Sequence, residues 1–491
     1  MKLKQLLIDV NIFDLNVNLD IEIVKITSDS RKIEDNNAFV AIQGENRDGN
    51  LYINDALKNG ANLIITDKKE ACKIDIPYIL VENARSTLSI MMSNYYNNPT
   101  KNMKVIGVTG TNGKTSTAYF LYEILKAANK RVGLISTIEC RINDELIDLD
   151  GGSEVVDIHS AMTTPDAEKL YYILNIMKKN EIEYVIIEAS SHALKQSKLD
   201  GTHIDFGIFT NLSSEHQDYH KNMQDYFESK EILFEKSKSG IVNVDDKYGK
   251  ILFDKYRNKL FSYSCNQIAD YYTENVVLEA DKSKFLLKSK EESIVIETSI
   301  LGEFSVYNCS LAISCAKLLD IENKAIINGI KNLKRIKGRL ERYKNKNIYI
   351  DYAHTPKATK MVLKSIKSIH KNKLLIALFG CGGDRDKAKR AEIGKICSKY
   401  ADILIITSDN ARNEEPISII KDIVKGVDKN RTHMIIPNRK DAIFYATKLV
   451  NNNSVLVLLG KGHETYEINK NGKHFFDERE VLNEAFSNGK N

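Results

Sequence analysis

The sequence predicts an α/β protein built from three domains. Three observations lead there. The chain has 491 residues, more than one core usually holds. Short apolar runs alternate with helical stretches along most of its length, the pattern of strands covered by helices. And VTGTNGKTSTAYF, residues 108–120, passes from a strand through a glycine-rich turn into a helix, as phosphate-binding loops do.

Residues 1–99 contain DNNAFVAI, ANLIIT and IPYILV between helical stretches, and predict a first α/β domain. NYYNNPTKN reads as a linker, polar and stiffened by Pro99. A central domain over 100–335 follows, with strands in KVIGVTG, RVGLIST, YVIIEAS, FGIFTNL and GIVNVDD. Helical segments separate them, so a parallel sheet covered on both faces is expected, its ligand crevice beyond the carboxyl ends of the strands. From 336 to 491, NIYIDYA, KLLIALFG, ADILIIT, HMIIP and SVLVLLG repeat the pattern and predict a third, α/β domain.

Composition narrows the function. Hydrophobic residues make up 42% and charged residues 28%, as in ordinary globular proteins. The 71 basic and 66 acidic side chains leave a net charge of +5, with no basic concentration for a nucleic acid. Seven scattered cysteines without a CxxC fit a reducing cytoplasm rather than a disulfide framework or a zinc site. MKLKQLLIDVNIFDLN has acidic residues too early for a signal peptide, and no apolar run approaches the roughly 20 residues of a membrane span. A cytoplasmic protein with no membrane insertion is expected.

The chemistry starts at Gly113-Lys114-Thr115. The strict P-loop places a glycine five residues before Gly113, where this chain has Val108. Gly110 and Gly113 nevertheless permit positive φ and close approach, and the helix N-terminus offers free N–H groups to an anion. Lys114 would supply positive charge and the Thr115 hydroxyl a magnesium ligand. The competing reading is a plain strand-to-helix turn. In EASSHALKQSKLDG, Glu188 ends an apolar strand, placed to hold a cation or merely followed by capping serines Ser190 and Ser191. Further on, Glu215, His216, Asp218 and His220 share one loop, and a helix carrying Lys230 follows. Two histidines without thiolates are a weak zinc signal, and Lys230 taken alone reads as a surface lysine.

TGTNGKTST, EASSHAL and FTNLSSEHQDYH resemble the ATP-dependent Mur ligases of peptidoglycan precursor synthesis. TSDSR (27–31), TTPD (163–166), IKGRLE (336–341), DYAHTPKA (351–358), GCGGDRDKAKR (380–390), TSDNAR (407–412) and LGKGHETY (459–466) resemble the branch that forms the UDP-N-acetylmuramoyl tripeptide. The resemblance runs from about residue 20 to 485 in the family's order. It implies an N-terminal UDP-binding α/β domain, a central parallel-sheet ATPase domain with a P-loop, and a C-terminal Rossmann-like α/β domain. It also accounts for the spacing of the loop, since the family's own loop reads TGTNGKT[ST].

The site residues follow by resemblance. Gly110, Thr111, Asn112, Gly113, Lys114, Thr115, Ser116, Asn308, Arg339 and Asp351 match ATP-binding positions. Ser30, Thr163, Thr164, Ser190, Gln196 and Lys198 match positions that bind UDP-MurNAc-L-Ala-D-Glu; the family usually has Arg where Lys198 stands. GENRDGNLY (44–52) resembles a loop usually reading DGH, with Asn50 in place of the histidine. Thr115, Glu188, His216 and Lys230 match the magnesium shell, with Lys230 as a CO₂-derived carbamate. Lys114, Lys230, Glu188 and His216 form the implied catalytic set. The substrates implied are ATP, the UDP-linked dipeptide and a diamino acid, and the implied state is a monomer.

Arg385, Asp409, Asn410, Ala411, Arg412, Gly460 and Glu464 match the pocket for the incoming amino acid. Family members that add meso-diaminopimelate carry DNPR there; this chain has Asp409-Asn410-Ala411-Arg412. An arginine can pair with the distal carboxylate of diaminopimelate, which lysine lacks. Ligation of meso-diaminopimelate is therefore expected, with L-lysine or another diamino acid as the alternative. A folylpolyglutamate-type ligase is disfavoured by TSDSR and GKGHE. A P-loop motor or switch would need the strict loop.

Overall fold

The computed structural model describes residues 1–44, 47–73, 75–147, 163–215 and 219–488. The chain divides into two compact units. Met1–Thr109, Lys130–Ile208 and Phe227–Gly240 make the first, and Gly110–Asn129, Phe209–Tyr226 and Ile241–Asn491 the second.

The first unit opens with β1 (Ile12–Asn16), β2 (Lys25–Thr27), β3 (Asn37–Ala41), β4 (Ala61–Thr66) and β5 (Tyr78–Val81), in spatial order β1-β5-β4-β3-β2. β2 to β5 are parallel and only β1 runs against its neighbour. Apolar residues of β3 and β4, Phe39, Ala41 and Ile64, pack on Ile53 and Ala56 of the following helix. The segment read as a linker is ordered. Asn97 and Asn98 take left-handed conformations, which asparagine tolerates, and Pro99 opens a short 3-10 turn, Pro99–Asn102.

This unit continues with β6 (Lys104–Thr109), β7 (Val132–Ile135), β8 (Cys140–Ile142), β9 (Glu145–Leu146), β10 (Tyr184–Glu188) and β11 (Phe206–Phe209), ordered β11-β6-β10-β7-β8-β9. β10 runs parallel to both β6 and β7, and every residue of β7 and β10 is buried. That burial explains their unbroken apolar runs.

In the second unit the helix Lys114–Ala127 packs on Glu303–Leu318 and Asn323–Asn332. Gly329 permits the latter approach, since a Cβ there would meet the Ile124 backbone. β12 (Ser239–Asn243), β13 (Leu260–Ser264), β14 (Tyr271–Leu278), β15 (Ser283–Ser289) and β16 (Ser293–Thr298) follow, ordered β16-β15-β14-β13-β12. β14, β15 and β16 form an antiparallel meander, a departure from the parallel expectation. The physical reason lies in burial: β16 alternates exposed and buried residues, so one face is solvated, which antiparallel strands allow.

The last sheet holds β17 (Glu341–Arg342), β18 (Ile348–Asp351), β19 (Leu374–Phe379), β20 (Ile403–Ile406), β21 (Thr432–Ile435) and β22 (Ser454–Leu459), ordered β17-β18-β22-β19-β20-β21. All neighbours are parallel except β17. Apolar cores cover both faces, one through Leu363 and Ile420, the other through Ile443 and Leu482. A hairpin, β23 (Tyr466–Asn469) with β24 (Gly472–Phe475), stands apart from the sheet. Cys140, Cys309, Cys315, Cys381 and Cys397 are buried thiols, and no cysteine is in a disulfide. Among the described residues no helix is long and apolar enough to cross a membrane.

Candidate active site

The phosphate loop lies between β6 and the helix that starts at Lys114. Gly110 and Gly113 have φ of +144° and +92°. A Cβ at Gly110 would overlap the Thr210 hydroxyl, and one at Gly113 the Asn308 amide. Both positions therefore need glycine for conformation and for space. The loop is tied to the segment after β11. Thr111 N–H donates to Asn211 O at 2.8 Å, and the Thr210 hydroxyl donates to Asn112 O at 2.6 Å. The Lys114 ammonium donates to the carbonyls of Gly110 at 2.9 Å and Thr111 at 3.0 Å, and so folds back over the loop.

Two distant expectations converge here. Asn308 reaches the loop at Gly113, and the Arg339 guanidinium donates to the Thr115 hydroxyl at 3.1 Å. Arg339 also lies over the Tyr352 ring, 4.9 Å from its centroid. Thr115 and Ser116 are buried in the first turn of the helix. Asp351 behaves differently from a free ligand. Its two carboxylate oxygens accept backbone N–H groups of Leu340 (2.6 Å) and Ala353 (2.8 Å). Burial pushes its carboxyl above the usual range, with Arg339 opposing.

In the first unit, Glu188 is fully buried at the end of β10, level with Val108 in the parallel register. Its carboxylate accepts from the N–H and the hydroxyl of Thr137, both at 3.0 Å. The Thr164 hydroxyl donates to Glu188 O at 2.7 Å and lies 3.2 Å from the Ser190 hydroxyl, while the Thr137 and Thr163 hydroxyls lie 3.2 Å apart. Ser190 caps the short helix Ser191–Lys195, and Gln196 closes it. Lys198 is buried and pairs with Asp166 at 2.7 Å. Ser30 starts a 3-10 turn capped by Asp29.

Lys230 sits on the helix Met223–Lys236 and is 1% exposed, so it is no surface lysine. Asn50 accepts from the Thr66 hydroxyl at 2.7 Å and donates to Asp48 at 2.8 Å, a polar anchor for its own loop. His216 and Asp218 lie outside the described residues. Among the described residues no group of three His, Cys, Asp or Glu side chains is clustered as a metal site.

The expected amino-acid pocket gathers at the carboxyl ends of β20 and β22. Asp409 and Asn410 are buried, and Arg412 takes a left-handed φ of 51°. Its guanidinium donates to the carbonyls of Gly383 (2.8 Å) and Asn410 (3.3 Å), and its N–H to Ile468 O (3.0 Å). These bonds hold the loop where the family's proline is replaced by buried Ala411. Arg385, itself exposed, and Arg412 flank Gly382, where a Cβ would lie 3.8 Å from one side chain and 2.9 Å from the other. Asn410 donates to Glu464 at 2.8 Å, and Gly460, with φ of +111°, makes room for the Asp409 carboxylate.

Two charged residues here went unnamed in the sequence reading. Lys461 is fully buried and donates to Asn410 Oδ1 at 3.0 Å and Tyr466 O at 2.7 Å. Its place inside GKGHE was the available signal. Arg439 gave none, because it reads as a basic residue in the first turn of a helix. Burial pushes the Asp409 carboxyl up, but Lys461 and Arg439 outweigh it and hold it below the usual range. Desolvation, with the neighbouring Asp409 charge, pushes the half-buried Glu464 carboxyl above the usual range.

A buried phosphate loop, a buried strand-end carboxylate and a third pocket of opposed charges describe an enzyme that joins substrates at the expense of a nucleotide. The chain matches the Mur ligase family catalytic domain over residues 22–96, the Mur ligase middle domain over 108–316 and the glutamate ligase domain over 338–462. The chain belongs to the Mur ligase family. Among its relatives is a UDP-N-acetylmuramoyl-L-alanyl-D-glutamate–2,6-diaminopimelate ligase of Clostridium tetani, 38% identical over 99% of each chain. A ligase of the same name from Fusobacterium nucleatum is 38% identical over 95% of this chain and 94% of that one. A solved structure of a diaminopimelate ligase so named aligns over 100% of this chain and 99% of its own, with TM-score 0.71 and 27% identity. A folylpolyglutamate synthase of Mycobacterium tuberculosis shares the fold, with TM-score 0.64 and 16% identity over 76% of this chain and 92% of that one.

Proposed function

We propose that this chain is an ATP-dependent, ADP-forming ligase that adds meso-2,6-diaminopimelate to UDP-N-acetylmuramoyl-L-alanyl-D-glutamate in peptidoglycan precursor synthesis. The observation that carries the amino-acid assignment is Arg412. The carbonyls of Gly383 and Asn410 fix its guanidinium, and the Asn410 side chain donates to Glu464, the acidic neighbour of Asp409. That arrangement suits a ligand with a distal carboxylate and an ammonium group, the two features at the far end of diaminopimelate. Lysine would leave the guanidinium without a carboxylate.

In this reading ATP transfers its γ-phosphoryl group to the γ-carboxylate of the D-glutamate, and ADP leaves. The amine of the incoming amino acid attacks the acyl phosphate carbon; the C–O bond breaks, phosphate departs, and the amine loses a proton. Lys114 and the N-terminus of the helix it begins stabilise negative charge on the transferring phosphoryl oxygens. Asn308 and Arg339 position the nucleotide. Thr163, Thr164, Ser190, Gln196, Lys198 and Ser30 hold the UDP-linked dipeptide. Magnesium, held by Thr115, Glu188, His216 and a carbamate on Lys230, would neutralise phosphate charge. Glu188 fits that task as a fully buried carboxylate at the carboxyl end of a parallel strand. Lys230 fits as well: its side chain is buried, and a lysine amine that takes up CO₂ becomes an anion able to hold a cation.

We assign residues 1–99 to the UDP-linked substrate, 100–335 to ATP and 336–491 to the amino acid, in a cytoplasmic monomer. The deciding assay measures ADP release with the UDP-linked dipeptide and each diamino acid. Turnover only with dipeptide plus meso-diaminopimelate is expected. ATP hydrolysis needing neither partner would sink the ligase reading, and equal rates with lysine would sink the role of Arg412.

A further inference from the structure

Arg439 begins the helix Arg439–Lys448, capped by Asn438. It forms a fully buried ion pair with Glu478, with Nε at 3.0 Å and Nη2 at 2.7 Å from the same carboxylate oxygen. Its remaining donors reach two carbonyls. Nη1 donates to Ser408 O at 3.0 Å, and Nη2 also donates to Leu459 O at 2.8 Å. Ser408 precedes the Asp409–Arg412 loop, and Leu459 precedes Gly460. The two carbonyls close β20 and β22, which do not touch, because β19 lies between them. One guanidinium thus bridges the ends of two non-adjacent strands and ties together both walls of the amino-acid pocket.

We infer that Arg439, oriented by Glu478, is a positioning residue that fixes the spacing of the Asp409–Arg412 loop and the Gly460–Glu464 loop and so sets affinity for the incoming amino acid. The inference rests on the proposed reading of this pocket. A planar fork serves this task better than an ammonium, since it offers separate, fixed donors to the carboxylate and to both carbonyls. Its charge also bears on Asp409. That carboxylate is faced by Lys461, Arg439 and His354 on the positive side and by Glu464 on the negative, with the Tyr352 phenol and Cys381 thiol nearby.

The test compares wild type with Arg439→Lys and with the double variant Arg439→Met/Glu478→Met, which removes both buried charges at similar volume and so is expected to fold. Steady-state KM is measured separately for ATP, the UDP-linked dipeptide and the amino acid that the wild type uses. Both variants should raise KM for the amino acid about tenfold or more, as lost charge-assisted hydrogen bonds do, and leave the other two KM values within about twofold. Only the double variant should move the acid limb of kcat/KM for the amino acid to higher pH, because only it strips positive charge from beside Asp409. An unchanged KM for the amino acid overturns the inference, as does a parallel rise in all three. Unfolding of both variants assigns the pair to stability alone and also overturns it. A wild type that turns over ATP without any amino acid defeats the ligase reading instead, so the two failures are distinct.

Discussion

At the scale of single residues, burial separates what the sequence could show from what it could not. Taken alone, Lys230 reads as a surface lysine and only the family resemblance marks it, yet it is 1% exposed. Only its neighbours in space make it special, and a helix sequence does not state which face is covered. Lys230→Ala should lower ligation at least about a hundredfold, the usual cost of losing electrostatic support in a transition state. High bicarbonate should leave that variant unrescued; full activity would remove the carbamate from the mechanism. Arg412→Lys should raise KM for meso-diaminopimelate about tenfold to a hundredfold, since an ammonium loses the bidentate contact. Competition binding of the diamino acid provides a second readout. Lys461, signalled only by its place inside GKGHE, and Arg439, signalled by nothing, went unnamed for another reason. Their partners Asn410 and Glu478 lie 51 and 39 residues away, beyond any local pattern.

Elements differ in legibility by how they are buried. β19, β20 and β22 are almost wholly covered and read as continuous apolar runs. β15 and β16 alternate in burial, β14 is little buried, and the three pair antiparallel, so the sequence reading missed their course. The strand–loop–helix at 104–127 was legible because its glycines are demanded by geometry. Gly113→Ala places a Cβ against Asn308 at a φ of +92°, and should cost about 1–3 kcal/mol in loop strain. Nucleotide binding should suffer more than folding. The expected outcome is loss of the ADP-induced rise in Tm with a much smaller change in the Tm of the free enzyme.

For the whole molecule, stability should fall on the acid side through two groups with different windows. Burial beside Tyr349 lowers His370 from 6.5 to about 4, with Lys373 and Arg342 adding to the effect. Between those values the unfolded chain binds a proton that the folded one does not, so stability drops as pH falls from about 6.5 to about 4. Glu414, bonded by Arg390 and by the Asp384 N–H, is lowered from 4.5 to about 2. Its contribution is present above about 4.5 and is lost as pH falls toward about 2. Urea unfolding of His370→Gln should show a flatter pH dependence only in the upper window, and Glu414→Gln only in the lower. Neither group was visible in sequence, because each shift depends on packing or on a charged partner brought in by the fold.

The sealed thiols have a practical consequence. Cys140 lies on β8, Cys309 and Cys315 on the helix Glu303–Leu318, and Cys381 and Cys397 in the C-terminal core. Burial raises all five, Cys140 to about 11 and Cys381 to about 12, so the nucleophilic thiolate is scarce in the closed protein. The chain thus carries its own set of alkylation clocks, spread over separate regions. Mass-resolved labelling would time the opening of each region apart from the others and show which one a bound nucleotide slows.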